Sequence, residues 1–565
     1  MMMYRNDMHV KPKITSHPRH FPTGSVLNRP QKSITRCTLL IASAIVFAST
    51  VGGCGEGDKP SSGSSSTLDG EQLARTHCAN CHEYPEPALL TQRSWNFLLT
   101  YMGLRMGIED FSPLEGATPL EIEMIQNRKS LVAREGLALS VPMVSEEQWA
   151  AIRAFYMEQA PESAQPQPDK PALEMGLDLF QIREHAYGMS EPLTTLVEID
   201  ERNQQILVGD SRHQEFTVLD KHLKVVMNEI TPAYQWVRAH IKDGGVHLLS
   251  IGDLMGSYRD NRIGDVVYAA RREDGYVSLG VALDKLHRPS DIDFGDFDDD
   301  GLDDIVACNF GFVTGSVDIH RAVSNGWQFE LKPTIRLALE KGAVDCKVED
   351  FNKDGRPDVA VLFGNERENL SLFLNQGDGK FERKIIISQH AAFGYIGFRW
   401  GDFNADGHLD VWTINGDNID SDPYNSLRPY HGFRLYLGQG DLTFVESYFY
   451  PMYGAYGLEV EDFDLDGDLD LAAISHNPDY DADRNDSFVY LENQGAGAFT
   501  ARTFESPRTD RWLTMDAGDI DGDGDKDLVL GGVYMEVGLN VDHTELMKEM
   551  QEKATPLLIL ENKTR

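Results

Sequence analysis

The chain has 565 residues, 41% hydrophobic and 25% charged, which is too long for one ordinary core and sets an expectation of at least two domains. Its formal charge is −38, and because residues 1–53 carry +6 the remainder carries −44. Such acidity repels nucleic acid and anionic membrane surfaces, excludes both as direct partners, and points to bound cations.

Arg29, Lys32 and Arg36 precede an apolar run over residues 37–51, and Gly52, Gly53 and Cys54 follow. A basic flank, a short apolar core and small residues before a cleavage point describe a secretory signal. About fifteen apolar residues fall short of the ~20 that span a bilayer comfortably. Val51-Gly52-Gly53-Cys54 resembles a bacterial lipobox, which implies lipidation of Cys54 and its conversion to the mature N-terminus. An uncleaved anchor and ordinary cleavage near Gly53 are the alternatives. Gly55, rather than Asp, implies an outer-membrane lipoprotein by analogy with Gram-negative proteins, facing the periplasm or the outside and touching membrane only through lipid. Residues 1–53 therefore read as signal and 54–67 as a flexible polar tether.

The first domain is expected over residues 68–160. Cys78, Cys81 and His82 form a C-x-x-C-H site, placed by a helix predicted over residues 71–82. Two thioether bonds to a porphyrin leave the adjacent imidazole close enough to ligate iron, so the motif predicts one covalent haem c. A thioredoxin-like site would need a surrounding βαβ pattern, and structural zinc would need a second, distant ligand pair. Neither is present in this half. A second helix is predicted over residues 90–106, with Trp95, Leu98, Leu99 and Met102 on one face. Thr118-Pro119-Leu120-Glu121 and Ser145-x-x-Gln148 each offer a capping box for a further helix. Four prolines then mark a linker over residues 161–172.

This arrangement resembles a small all-α class I cytochrome c domain. The resemblance implies a methionine as second axial ligand, and Met102, on the face of Trp95, Leu98 and Leu99, is the expected one. Met106, Met143 and, more weakly, Met124 compete with it.

From residue 173 onward the chain is a repeat array. One signature occurs five times: Asp296, Asp298, Asp300, Asp304; Asp350, Asn352, Asp354, Asp358; Asp402, Asn404, Asp406, Asp410; Asp462, Asp464, Asp466, Asp470; and Asp519, Asp521, Asp523, Asp527. Each set occupies positions 1, 3, 5 and 9 of a loop with Gly at position 6, and the loops recur every 52–60 residues. Alternating oxygen ligands around a sharp glycine turn wrap a hard cation, and calcium suits them better than magnesium. Eighteen of these twenty positions are Asp, which accounts for much of the acidity and predicts about five Ca2+ ions. Several short strands per unit describe a β-propeller blade. Degenerate equivalents near Asp210 and Asp253 raise the expected count to seven blades, with no metal assigned to the first two. The last apolar segment, residues 557–562, would need a strand from near residues 180–200 to close the ring. Cys308 and Cys346 are left over after signal, lipid and haem, and an oxidising compartment favours their pairing.

The loops resemble FG-GAP or VCBS repeats, as in integrin-type propellers. The segments Asn415-Gly416-Asp417-Asn418, Pro429-Tyr430-His431-Gly432, Phe449-Tyr450-Pro451-Met452-Tyr453-Gly454-Ala455 and Arg511-Trp512-Leu513 extend the resemblance to bacterial VCBS-repeat proteins with an N-terminal cytochrome c domain. That resemblance implies haem binding and electron transfer to a redox partner it does not identify, with no established substrate. Two function classes follow. In one, the haem passes single electrons and the calcium-bearing propeller is a platform for a protein or carbohydrate ligand. In the other, the propeller is a periplasmic dehydrogenase with a quinone cofactor that feeds its fused haem. No nucleophile–base constellation is visible, and His287, His390 and His431 read as packed loop histidines rather than bases, so the first class is preferred.

Overall fold

The computed structural model describes residues 69–565, apart from residues 81, 243, 255–261, 273–274, 324–325, 419–421, 483–485, 496, 506–508, 537 and 540–541. The signal, the tether, Cys54 and Cys81 lie outside the described residues.

Four helices come first: α1 (Gly70–His77), α2 (Gln92–Arg105), α3 (Pro119–Arg134) and α4 (Glu146–Gln159). Both capping boxes form: Thr118 and Glu121 close reciprocally on α3, and Ser145 and Gln148 on α4. Gly70 lies where α1 meets α4; a Cβ there would sit 2.3 Å from the Ala151 carbonyl oxygen. Only glycine permits that approach.

The expected face of α2 is inward, with Trp95 and Leu99 buried against Ile152 and Tyr156 of α4. The opposite face is buried as well. Phe97, Tyr101 and Leu104 pack on Met124, Ile125 and Val132 of α3 and on Tyr424, which comes from the β region. Leu131 of α3 likewise packs against Phe312 and Val313. Helices and propeller thus share hydrophobic clusters, and residues 67–565 form one unit.

Seven antiparallel sheets make a seven-bladed β-propeller. The inner strands are Thr194–Asp200, Trp236–Lys242, Pro289–Gly295, Ala343–Glu349, Tyr395–Gly401, Ala455–Glu461 and Trp512–Gly518. Blade-to-blade contacts are apolar; Val306, Val317 and Ile319 of the third blade pack on Val359, Val361 and Phe373 of the fourth. Cys308 and Cys346 lie in that cluster as buried, hydrogen-bonded thiols rather than a disulfide.

The ring closes as its last strand requires. Phe180–Arg183 pairs antiparallel with Leu557–Asn562, so the segment after the linker supplies the outer strand of the seventh blade. Just before it, Glu174–Met175 adds a short parallel edge to the sixth blade.

Blades one and two differ from the expected pattern. The second strands of these blades begin at Gln205 and Gly245, within a few residues of the ends of the inner strands at Asp200 and Lys242, so no Asp-rich repeat lies between them. Asp210 ends the second strand of its blade and Asp253 follows the second strand of the next, at the end opposite the repeat loops, so neither is a loop equivalent. Asp210 instead accepts the Leu193 and His213 backbone N–H groups, at 2.6 and 2.8 Å.

Candidate functional sites

The C-x-x-C-H segment is shaped by its flanks. Helix α1 stops at His77, short of the expected end at residue 82, and Cys78–Asn80 tighten into a 3-10 turn. Pro85 and Pro87 cannot continue a helix. Their carbonyls accept from two buried aromatic donors, Tyr156 Oη to Pro85 O at 2.8 Å and Trp95 Nε1 to Pro87 O at 2.7 Å. These bonds pin the segment after His82 onto α2 and α4.

Cys78 and His82 line a cavity of about 640 Å³. Its helical wall includes Trp95, Leu98, Leu99, Met102, Arg105, Met106, Met143, Trp149 and Tyr156. The His82 ring Nδ1 stands 2.8 Å from the Glu83 carbonyl oxygen. A proton on Nδ1 satisfies that contact and leaves the Nε2 lone pair for a metal. The methionine candidates separate in part. Met102, Met106 and Met143 line the cavity, whereas Met124 is buried against α2 and does not. Met106 packs in the helical core, Met102 is partly buried, and Met143 is 44% exposed.

The opposite wall is the propeller. Every inner strand has a register shift at its second residue, and each skipped residue lines the cavity: Thr195, Val237, Ser290, Val344, Ile396, Tyr456 and Leu513. Such bulges turn a strand's end and re-aim a side chain. Their agreement around all seven blades puts the cavity across the mouth of the propeller axis. Arg238, Arg288, Glu366, Glu368, Tyr395, Asp417, Arg428 and His476 also belong to this wall. Glu366 holds left-handed backbone at φ 68° and lies 2.7 Å from Lys341 Nζ. Burial pushes its carboxyl up, yet Lys341 and Arg105 together bring it below the usual range.

Beyond the mouth, charged side chains tie neighbouring inner strands. Asp291 Oδ2 accepts from Cys346 N at 2.9 Å, Asp345 Oδ2 from Phe398 N at 3.2 Å, and Asp516 Oδ2 from Ile199 N at 2.6 Å. Burial and the adjacent Asp345 push the Asp291 carboxyl up, despite the Arg238 guanidinium at 3.1 Å. Burial and Glu459 do the same to Asp516.

The five Asp loops follow the inner strands, at the propeller face away from the cavity. All five share one backbone form. Position 4 is left-handed (Asp299, Lys353, Ala405, Leu465 and Gly522), and so is the glycine at position 6, with φ between 85° and 101°. The position-6 N–H donates to the position-1 carboxylate in every loop, as Gly407 N does to Asp402 Oδ2 at 2.8 Å. Among the described residues three carboxylate clusters have oxygens within 4.8 Å of one another: Asp296, Asp298 and Asp300; Asp462, Asp464 and Asp466; and Asp519, Asp521 and Asp527. In the other two loops Asn352 and Asn404 donate to Asp354 and Asp406, at 3.1 and 3.0 Å.

Position 9 has a second task. Asp304, Asp358, Asp410, Asp470 and Asp527 are buried and accept from backbone N–H groups of their own blade. Asp410, for instance, takes Phe403 N at 3.0 Å and Gly438 N at 2.8 Å, clasping the loop to the third strand.

None of His287, His390 and His431 lines the cavity; His476, which sequence reasoning passed over, does. Of two tyrosines in and just after the Phe449–Ala455 segment, Tyr450 is fully buried and Tyr456 lines the cavity.

Fold and loops define a seven-bladed propeller in which five blades carry an Asp-rich repeat loop. The family of FG-GAP-like repeats matches residues 296–361 and 350–413, which span three of the five loops. No curated protein matches the chain. Among solved structures, the crystal structure of Saccharomyces cerevisiae Sqt1 is similar at 10% identity and a TM-score of 0.39, over 67% of this chain and 97% of that one.

Proposed function

We propose that the protein is an exported, lipid-anchored one-electron carrier with a single covalent haem, whose calcium-stabilised propeller serves as a docking or ligand-binding platform. The observation that carries the reading is the shared cavity wall of Cys78 and His82, with the His82 Nε2 left available. Cys78 and Cys81 would hold the porphyrin, His82 the fifth iron position and Met102 the sixth. The haem supplies a one-electron couple when bound. Trp95, Leu98, Leu99 and Trp149 keep its surroundings apolar, and Tyr156 and Trp95 hold the peptide after His82 in place. On the far face, the carboxylates and Asn side chains of the loops would each take one Ca2+.

The test is covalent haem content. Protein made in a host with c-type maturation should keep its haem through denaturing electrophoresis, at one haem per chain. A chain without covalent haem from that host sinks the reading. Anchoring is tested separately: Cys54→Ser should move the protein from the membrane fraction to the soluble one, and continued membrane fractionation would contradict lipidation.

The dehydrogenase reading has one observation in its favour. The cavity continues from the haem motif to the propeller axis, past Arg238, Arg288 and His476. Haem reduction by candidate donors only when a quinone cofactor is added would select it over simple electron transfer.

A further inference from the structure

We propose that the propeller, not the helical domain alone, binds the haem: the buried guanidinium of Arg428 is a site for a haem propionate. The inference rests on the haem reading above. Arg428 lies between the second and third strands of the fifth blade, lines the cavity and is 1% exposed. Its Nη1 donates to the carbonyls of Ala392 at 3.1 Å and Asp417 at 3.0 Å, which fixes the plane of the fork. Its Nε and Nη2 are buried and have no hydrogen-bond partner among the described residues. Two buried N–H groups of one cation left unpaired are costly unless an anion meets them.

The protein's own carboxylates nearby are committed elsewhere. Asp422 accepts from Tyr424 N at 2.9 Å and from Ser426 Oγ at 3.1 Å. Glu368 accepts from Asn365 N at 2.8 Å and Tyr395 N at 2.9 Å. Asp422 feels the Arg428 charge, but Nε and Nη2 hydrogen-bond to no carboxylate of the chain, which leaves that edge of the fork for an anion from outside it. The planar fork matches a carboxylate through two parallel hydrogen bonds.

Position identifies the carboxylate. Ala392, which accepts from Arg428, packs in the same cluster as Trp95 and Leu99 of α2, so the guanidinium borders the wall that carries the haem motif. The two propionates are the only charged substituents of the porphyrin. From the helical wall, Arg105 lines the same cavity and carries a buried Nη1 without a hydrogen-bond partner. Arg105 already draws down the Glu366 carboxyl, so Arg428 is the guanidinium left for a propionate.

The experiment compares the full-length holoprotein with Arg428→Gln and Arg428→Lys, reading covalent haem content, midpoint potential and the propionate bending band in resonance Raman spectra. A positive charge beside the haem disfavours the ferric form. Arg428→Gln should therefore keep one covalent haem per chain, shift the propionate band, and lower the ferrous-to-ferric ratio at fixed ambient potential about ten-fold, which is 59 mV for one electron. Arg428→Lys should recover most of the potential but not the band, because it restores charge without the fork. A wild-type band and potential in Arg428→Gln overturn the proposal. If that variant does not accumulate folded, an unshifted band in Arg428→Lys overturns it. Absence of covalent haem from the wild-type protein would instead remove the haem reading itself.

Discussion

Removing calcium will lower the melting temperature of the propeller by about 10 °C or more. A ligand that binds only the folded state stabilises it by about 2.7 kcal/mol per site at a hundred-fold excess over Kd. Summed over several loops this outweighs the small Tm change per kcal/mol that is usual for a large domain. Three of the metal-free loops also hold three carboxylates in close array, with the position-1 and position-5 side chains held by backbone N–H groups rather than free to spread. Like charges then oppose the fold, and a divalent ion removes the opposition. Melts of the same preparation with excess calcium and with a chelator read the effect, and Asp462→Ala should reproduce roughly one site's share. The cavity lies at the other end of inner strands seven residues long, roughly 20 Å away at 3.3 Å per residue. The haem spectrum should accordingly stay unchanged on chelation until the propeller melts. An identical melt after verified calcium removal would end the calcium reading.

The second large effect is expected at Met102. Replacing it with alanine should abolish the weak red absorption band that methionine sulfur gives to ferric haem. The midpoint potential should fall on the order of 100 mV, well inside the ~0.8 V range that axial ligands set. Met102 lies on α2 with Leu98 and lines the cavity without being locked into the core. Met106 is packed among Trp95, Leu99 and Trp149, and leaving that cluster would open a void. Met106→Ala should therefore cost stability and spare the band. Met143 is the sharper control. It precedes the Ser145 cap, and its backbone N–H bonds to Met106 O at 2.9 Å, which holds it beside the end of α2. Loss of the band in Met143→Ala, with its retention in Met102→Ala, would move the sixth ligand to Met143.

How much of this was legible in the sequence depended on where the physics is local. The five loops could be read because their turn closes within nine residues, with side-chain oxygens at set positions accepting backbone N–H groups and a glycine at positive φ. Helix starts could be read for the same reason: Thr118 with Glu121, and Ser145 with Gln148, finish their capping within four residues. The first two blades turn without such a loop, so only spacing suggested them. Spacing gave the blade count while misplacing the equivalents at Asp210 and Asp253. The second buried face of α2 was hidden because its cover, Tyr424, comes from more than 300 residues away. The cavity was the least legible feature. Its propeller wall takes one bulged residue from each of seven strands, and Ile396 or Val344 has no local sign of being special. Arg428, beside the Pro429–Gly432 resemblance segment, became informative only once the partners of its neighbours were known.

The strand pair Phe180–Arg183 with Leu557–Asn562 has a consequence for how the molecule is made. The partners are about 380 residues apart, so this contact is among the slowest to form. During synthesis the helical region leaves the ribosome first, while the outer strand of the seventh blade must wait, unpaired, until residues 557–562 are made. A chain that stopped before residue 557 would keep every Asp-rich loop and leave the ring unable to close. Any quality control that senses open sheet edges would read such a chain as unfinished. The closing strand works as a check that the chain has been made through its seventh blade.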